Sequence, residues 1–455
     1  MDNKEHVDLD DMGTHNVSGG DHFKTATTVP TVASDEAVQG RLQRLYQDHG
    51  ATWESLDDPH DPYNWPTYRK VTIAVLISTG QLITLMSTSM MASALPQISR
   101  DLGISATTTQ ITFSLFVLGQ AFAPFLIAAL SEMYGRKPVW IGPIMADMYR
   151  VKDRGKSLAI ASFIPYFGPA LGPIIGGLVS DYIEWPWLFW ILSMFSAGIT
   201  FIAYFLVDET YTPILLQRKV ESQSSSGRNR SGPPWNGLAQ RGLSKGLSIH
   251  LLRPIKILTR RPIILVISWI WAISFGLYVL VLSSFASLWM DKYGQSETQS
   301  TLNYIALAIG ITISSQAGGP LMDYIFRRLQ DRSKGDTTPE FRVPYLIVGV
   351  VLLPVGLFWY GWAAERGMHW AFVAVGAAIF TCGTFVTGSA INAYLIDEFK
   401  HAASASAAAR MLSNVFGFAF PIFAPQLFSR LGYGWGNSLL AFVFIGDEEL
   451  KIECF

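Results

Sequence analysis

The stretch Ala128–Gly177 decides the fold. It opens with Leu130-Ser131-Glu132-Met133-Tyr134-Gly135-Arg136-Lys137-Pro138, a charged turn that directly follows an apolar run. It closes with Gly168-Pro169-Ala170-Leu171-Gly172-Pro173-Ile174-Ile175-Gly176-Gly177, a ladder of small residues inside another apolar run. A helix needs roughly 20 apolar residues to cross a membrane. The link between the two motifs is therefore too short to cross twice.

The composition of the chain is that of a membrane protein. Of its 455 residues, 50% are hydrophobic and 15% are charged. Helices are the expected form, because a helix satisfies its own backbone hydrogen bonds in lipid. The fold class predicted here is an all-α membrane protein, with the lipid bilayer as a partner. The net charge of −1 gives no general attraction to nucleic acid, which is not expected as a partner.

Little in the sequence favours an enzyme. The two cysteines, Cys382 and Cys454, are too few for a disulfide framework or a Cys-based metal site. The string Arg154-Gly155-Lys156-Ser157 lacks the earlier glycine of a phosphate loop, since Arg150 stands at that position. We expect no metal, no cofactor and no ATP, so active transport would have to draw on an ion gradient.

Nine apolar segments are long enough to be membrane spans, and a tenth, from about residue 434, is apolar for only about a dozen residues. With a cytoplasmic N-terminus, the cytoplasmic loops carry twenty-one Lys or Arg and the outer loops carry four, as the positive-inside rule requires. The full spans are predicted at 71–95, 109–131, 157–180, 187–207, 262–290, 301–323, 343–364, 370–396 and 404–428.

The spans divide the chain into five predicted regions. A disordered cytoplasmic tail is followed by an N-terminal helical bundle of four spans, a cytoplasmic central loop, a C-terminal bundle whose last span is truncated, and an atypical tail. Their ranges are 1–66, 67–207, 208–261, 262–445 and 446–455.

An internal repeat exposes the gap in the N-terminal bundle. Ala128–Lys137 aligns with Gly319–Arg328, so that a Leu, an acid and two adjacent bases coincide at the end of the second span of each half. Onward from this motif, the first half is shorter than the second by about 45 residues, enough for one transmembrane hairpin. The hairpin is missing between about residues 139 and 146. Its loss leaves the orientation of every later span unchanged.

These motifs together resemble the fungal major facilitator superfamily, and within it the twelve-span drug:proton antiporter group, whose members resemble multidrug or polyamine exporters. The resemblance implies a two-bundle fold, incomplete here because the third span, most of the fourth and the end of the last are absent. The matching stretches are Asp57–Pro66, Glu132–Pro138, Asp153–Lys156, Gly168–Gly177, Asp208–Tyr211, Asn392–Asp397 and Ala402–Ala409.

Charged residues at the cytoplasmic ends of the second spans are the candidate gating residues. The resemblance implies that the loop of Glu132, Arg136 and Lys137 steadies the outward-facing state. Asp147 and Arg154 resemble its interior partners, and Asp323 and Arg327 are its repeat in the second half. The alternative is that these charges only set the orientation of the spans.

The ladder of small residues, Gly168–Gly177, is the second candidate functional feature. Gly168, Gly172 and Gly176 share one helix face, which permits close backbone contact with a partner helix. Prolines in the same span, including Pro169 and Pro173, favour a bend. The resemblance implies that this span, with Gly177, seals the interface between the bundles. A generic packing face is the alternative.

Isolated polar and aromatic side chains in the spans are the candidate substrate contacts. A cavity lined by them suits small amphipathic organic compounds rather than ions. No Asp or Glu lies in the membrane core of a predicted span, so the proton as a partner is implied by the resemblance alone. The candidates are Gln81, Thr84, Ser87, Tyr166, Tyr278, Gln316, Asn392 and Asn414.

Two functions remain open at this stage. The first is a secondary transporter that exports drug-like or toxic compounds with proton coupling, at the plasma membrane or else the vacuolar membrane. A variant of this first function is an importer of the same superfamily. The second is a non-transporting product of the same gene family, a truncated isoform or a mispredicted gene model.

Full-length cDNA tests the gap. We expect reads across the junction near Ile141 to restore about 45 residues, because a bundle of the repeated kind needs the hairpin. Reads near Phe444 test the second departure in the same experiment. Reads that reproduce this sequence at both places would contradict the expectation.

Overall fold

The computed structural model divides the chain into two units, Met1–Leu56 and Asp57–Phe455. Only Trp53 is described in the first, so the fold below is that of the second. The described residues are 53, 58–134, 137, 144, 148, 164–212, 214–216, 218–219, 262–333, 339–398 and 402–452.

The N-terminal half consists of four described helices. Each matches a predicted span, but the first two extend beyond the apolar run at both ends. A 3₁₀ turn at Pro165–Phe167 precedes the third, as expected where prolines interrupt hydrogen bonds. The helices are α1 (Thr67–Asp101), α2 (Ala106–Tyr134), α3 (Gly168–Tyr182) and α4 (Pro186–Leu206). The predicted beginning of the third at 157 lies outside the described residues.

The C-terminal half is described almost throughout. The predicted span 301–323 is built from three consecutive helices. The predicted span 404–428 and the incomplete span after it form one long helix that breaks at Gly432. The helices are α5 (Pro262–Tyr293), α6 (Glu297–Leu302), α7 (Tyr304–Gln316), α8 (Gly318–Arg332), α9 (Val343–Glu365), α10 (Trp370–Glu398) and α11 (Ala402–Ile452).

The predicted fold class is confirmed. Every regular element among the described residues is a helix, and seven helical stretches, with α6–α8 counted as one, are long and apolar enough to cross a membrane. Helix α2 has 29 residues, which is also sufficient length for a crossing. Burial of the spans is uneven between the halves: 72% of the most apolar stretch of α5 is buried, but only 28% of that of α1.

The break in α11 separates its two crossings. Gly432 has φ 69°, a left-handed conformation that glycine adopts without steric cost. The Glu365 carboxylate accepts hydrogen bonds from the backbone N–H groups of Tyr433 (2.7 Å) and Gly434 (3.3 Å), which begin the second segment, 433–452. Its apolar part ends at Ile445 as expected. The helix itself continues to Ile452, where a tail was predicted.

Helices α9 and α10 form the closest helix pair. A methyl group on Gly383 of α10 would lie 2.9 Å from the Leu353 Cα, and one on Gly349 of α9 would lie 2.7 Å from the Thr387 nitrogen. In lipid, helices associate through such close packing because burial from water supplies no driving force. The pair therefore depends on glycine at these positions.

Replacing Gly383 with Leu tests this contact. We expect the substitution to destabilise the protein by about 1–3 kcal/mol, the usual cost of overpacking a well-packed interior. Thermal unfolding in detergent micelles measures the effect as a lower midpoint. The matched control is Gly198→Leu, since no atom lies within 4 Å of a Cβ built there. Equal midpoints for the two variants would contradict the prediction.

Candidate transport cavity and interface between the halves

The Asp58–Trp65 segment is folded against the ends of α1 and α4. The Asp58 side chain accepts from the His60 N–H (2.9 Å), and Asp61 caps the 3₁₀ turn that follows. Arg69 stacks over the Trp65 ring at 4.0 Å and forms an ion pair with Asp208. Two stretches that carry the resemblance thus meet in space.

Lys137 belongs to the same cluster. Its ammonium lies 3.8 Å from the Asp208 carboxylate, and its backbone N–H donates to Glu209 at 3.3 Å. Glu209 is buried and also accepts from the N–H groups of Thr210 and Tyr211. The charged loop after α2 is therefore tied to the segment after α4, which sequence reasoning did not anticipate.

The other gating candidates are only partly visible. Glu132 is helical, its side chain is not described, and Arg136, Asp147 and Arg154 lie outside the described residues. In the second half, Asp323 lies 3.8 Å from Arg342, which leads into α9 and stacks over a phenylalanine ring. Arg327 is exposed on α8. The described partner of Asp323 is therefore not the arginine four residues away.

The small-residue ladder packs against α1. A methyl group on Gly172 would lie 2.7 Å from the Met86 carbonyl oxygen, and one on Gly168 would lie 3.0 Å from the Leu82 oxygen. Gly176 faces Met90 and Ser93 in the same way. The Ser89 hydroxyl donates to the Gly168 carbonyl at 3.2 Å. Close backbone contact is present, and it holds two helices of the N-terminal half together.

Gly177 lies on a different face and reaches the other half. A methyl group there would lie 2.9 Å from the Thr301 Cβ of α6. The prolines also differ in role: Pro169 stands at the beginning of α3, and Pro173 is buried inside it. Gly177 therefore contributes to the contact of this span with α6 of the opposite half, while the three-glycine face contacts α1.

A cavity of about 550 Å³ lies between the halves, toward the end that the charge pattern assigns to the outside. Its wall combines hydroxyl groups with apolar surface, which suits small amphipathic molecules. Polar lining residues include Ser99, Arg100, Thr109, Gln110, Ser283, Ser284, Ser287, Asp291 and Tyr433.

Two polar contacts tie the halves together beside this cavity. Arg100 at the end of α1 forms an ion pair with Glu297 in the first turn of α6. The buried Gln110 side chain of α2 donates to the Ser283 hydroxyl of α5. Deeper in the interface, a methyl group on Gly417 of α11 would lie 3.2 Å from Val117 of α2. These contacts hold the two halves together beside the cavity.

The predicted substrate contacts are not brought together in that cavity. Gln81 and Thr84 are exposed on α1, and Gln316 is exposed at the end of α7. Tyr278 is buried against Phe275 and Phe385, with ring centroids 6.1 and 5.4 Å away. Their placement spreads them over several faces of the bundle.

The remaining four candidates are described in different detail. Asn392 and Asn414 are half-buried on α10 and α11, and the side chain of Tyr166 is not described. Ser87 lines a separate groove beside α4. None of the eight predicted contacts is among the described residues that line the cavity between the halves.

Sequence reasoning missed the residues that do line this cavity. A signal was present: Ser283, Ser284 and Ser287 cluster in an otherwise apolar helix, and Gln110 interrupts the apolar run of α2. Buried polar groups in a membrane span require partners, so such clusters mark either a helix contact or a cavity.

Two helical halves that meet around a cavity in the membrane form the architecture of secondary transporters. The chain belongs to the Major Facilitator Superfamily, whose family model matches residues 77–144 and 141–421. It is a multi-pass integral membrane protein and a transporter by family, not an enzyme.

Similar proteins agree with this assignment. The chain is 35% identical to the uncharacterized transporter C1529.01 of Schizosaccharomyces pombe, over 87% of this chain and 89% of that protein. It is also 35% identical to the probable efflux pump mfs2 of Aspergillus flavus, over 78% and 94%. The fold resembles the xylose transporter XylE from E. coli, with a TM-score of 0.56 at 14% identity, over 83% and 97%.

Breaking the Arg100–Glu297 ion pair should open the cavity to the outside more often. The pair is partly exposed, so its contribution is about 1 kcal/mol or less, which corresponds to a factor of up to about five in the open population. We expect Glu297→Arg to raise the rate at which an impermeant maleimide labels Ser287→Cys, with Cys382 and Cys454 replaced by Ser.

The charge-swapped double variant Arg100→Glu with Glu297→Arg is the matched control, because it restores opposite charges. It should return labelling of Ser287→Cys to the original rate. Labelling of Leu102→Cys in the exposed connection after α1 should stay constant throughout. An unchanged Ser287→Cys rate in Glu297→Arg would contradict the role of the pair.

Proposed function

We propose that this protein is a secondary transporter that exports small amphipathic organic compounds across the plasma membrane, in exchange for protons and with its N-terminus in the cytoplasm. The observation that carries the proposal is the cavity between two helical halves, lined by hydroxyl groups and apolar side chains. Relatives whose names describe efflux pumps, such as vrtL of Penicillium aethiopicum and mfs2 of Aspergillus flavus, support the direction.

The chemistry of the lining favours compounds without a strong charge. Hydroxyl and amide groups such as Ser287 and Gln110 exchange hydrogen bonds with carbonyl and hydroxyl groups of a ligand. The charged members of the described lining, Arg100 and Asp291, have opposite signs, and Arg100 is already paired with Glu297. Phe428 and Met290 supply apolar surface, so amphipathic neutral compounds fit better than small ions.

Alternating access would follow from contacts that break at one end while others form at the opposite end. In the described state the outer end is held by Arg100–Glu297 and Gln110–Ser283. At the cytoplasmic end, Lys137 and Asp323 are paired within their own halves in this state, with Asp208 and Arg342, and they are the candidates to exchange these partners for contacts across the interface. Lys137 and Asp323 belong to the two motifs of the internal repeat, which supports a related role in each half.

A non-transporting product is the second candidate function, and one observation favours it. The alignment with C1529.01 spans 440 positions but covers 87% of this chain, about 396 residues, which leaves about 44 positions without a residue here. The alignment with mfs2 leaves about 46. The two matches to the family model also meet at residues 141–144. The two totals agree with the length of one hairpin, and the break in the family-model match supports its place in the N-terminal half.

Transport by purified protein in lipid vesicles separates the candidates. With the vesicle interior acidic, we expect an uncharged amphipathic fluorescent dye to accumulate, because protons leaving the vesicle would drive dye entry through protein that is inserted inside out. A protonophore should abolish accumulation. Gln110→Ala and Ser287→Ala should lower the initial rate, and Gly198→Ala is the control.

The outcomes of the vesicle experiment are distinct. Accumulation that is insensitive to the protonophore would contradict proton coupling but leave transport standing. No accumulation by this chain, with accumulation by a variant that carries the missing residues of the S. pombe relative, would favour the non-transporting product.

A further inference from the structure

A groove of about 820 Å³ runs along α4 on the membrane-facing side of the N-terminal half. Only 11% of the most apolar stretch of α4 is buried, and Phe201 is 67% exposed. The lining residues important here are Ser87 of α1, Phe116 of α2, and Ser193, Ser196, Ala197 and Thr200 of α4.

The floor of the groove is typical of a helix contact and not of a lipid-facing surface. Ser193, Ser196, Ala197 and Thr200 are spaced by three or four residues, so they share one face of α4. Small and hydroxyl-bearing residues allow helix backbones to approach closely in a membrane. Large aromatic residues such as Phe201 and Tyr204 border this face.

The second half of the chain shows what covers the corresponding helix. There, segment 433–452 is the sixth span of its half, and α4 would be the sixth span of the first half if the repeat were complete. Helix α9 covers segment 433–452. The Trp362 indole N–H donates to the Ser438 hydroxyl at 3.0 Å, and Phe358 meets Phe442 at a centroid distance of 5.2 Å. Asn437 is fully buried beside Gly361. Helix α9 begins the hairpin α9–α10, whose counterpart the first half lacks.

The number of alignment positions without a residue here is large enough for a hairpin of two helices. About 44 to 46 alignment positions of the two relatives have no residue here, which is enough for two helices of about 20 residues and a short turn. The described residues nearest the gap also lie on this side of the bundle. Ile144 and Met148 pack with Ala203 and Val207 at the end of α4.

We propose that this groove is a docking site for a transmembrane helical hairpin, and that it binds the hairpin when the hairpin is supplied as a separate chain. The partner is a two-helix apolar segment of about 45 residues whose first helix presents small residues to Ser193, Ser196 and Thr200. Docking covers the exposed face of α4 and completes the N-terminal bundle. The proposal does not depend on export or proton coupling.

Disulfide trapping tests the site in the full chain. The chain carries Ser196→Cys in a background with Cys382 and Cys454 replaced by Ser. It is co-expressed with the segment of the S. pombe relative that aligns with no residue of this chain, scanned with single cysteines along its first helix. We expect cross-linking at positions three or four residues apart. The matched control is Ile347→Cys on α9, which is 53% exposed in the other half.

A protein in which the segment is fused into the chain provides the second measurement. The same segment, inserted between Lys137 and Met148, shows whether the disulfide can form when the hairpin is in place. Cross-linking to Ser196→Cys in both formats, with none to Ile347→Cys, supports the proposal. Cross-linking only in the fused protein overturns it, as does none in either format, which would leave lipid in the groove. A Ser196→Cys disulfide between two copies of the chain also overturns it, because a second copy would then be the occupant.

Discussion

Close approach of helix backbones at glycine is the interaction on which this structure depends. Lipid is as apolar as a leucine side chain, so membrane helices gain little by burying apolar surface against each other. They gain from dense packing, which glycine permits. The contact of Gly172 with Met86 joins α3 to α1, and the contact of Gly383 with Leu353 joins α10 to α9. Each half is assembled around one such pair.

Polar contacts join the two halves at one end of their interface. The pairs that cross between the halves, Arg100 with Glu297 and Gln110 with Ser283, lie at one end of the interface and beside the cavity. Contacts at the other end, such as Lys137 with Asp208, stay within one half. A few exchangeable polar contacts across an interface cost little to break, whereas the glycine contacts within each half keep it rigid. Rigid halves joined by a few exchangeable contacts are what a transporter needs if its two bundles move against each other.

The unequal burial of the two halves follows from the same principle. In the second half, α9 covers segment 433–452 through Trp362 and Phe358, and α5 is largely enclosed. In the first half, α4 presents a face of small residues that no described helix covers. Small and hydroxyl-bearing residues allow helix backbones to approach closely in a membrane, so this face of α4 is suited to contact a further helix.

The sequence by itself determined the helices, their order, the positive-inside pattern and the glycine ladder. These are local properties, since hydropathy and residue spacing depend only on neighbours along the chain. Only the tertiary structure decided which helix the ladder faces, that Asp323 meets Arg342, and that Gln110 and Ser283 line the cavity while Gln81 and Gln316 do not. A glycine has no side chain from which its partner helix could be predicted. A single polar residue in a span gives the same sequence signal whether it lines a cavity or contacts another helix. The packing of whole helices makes that choice.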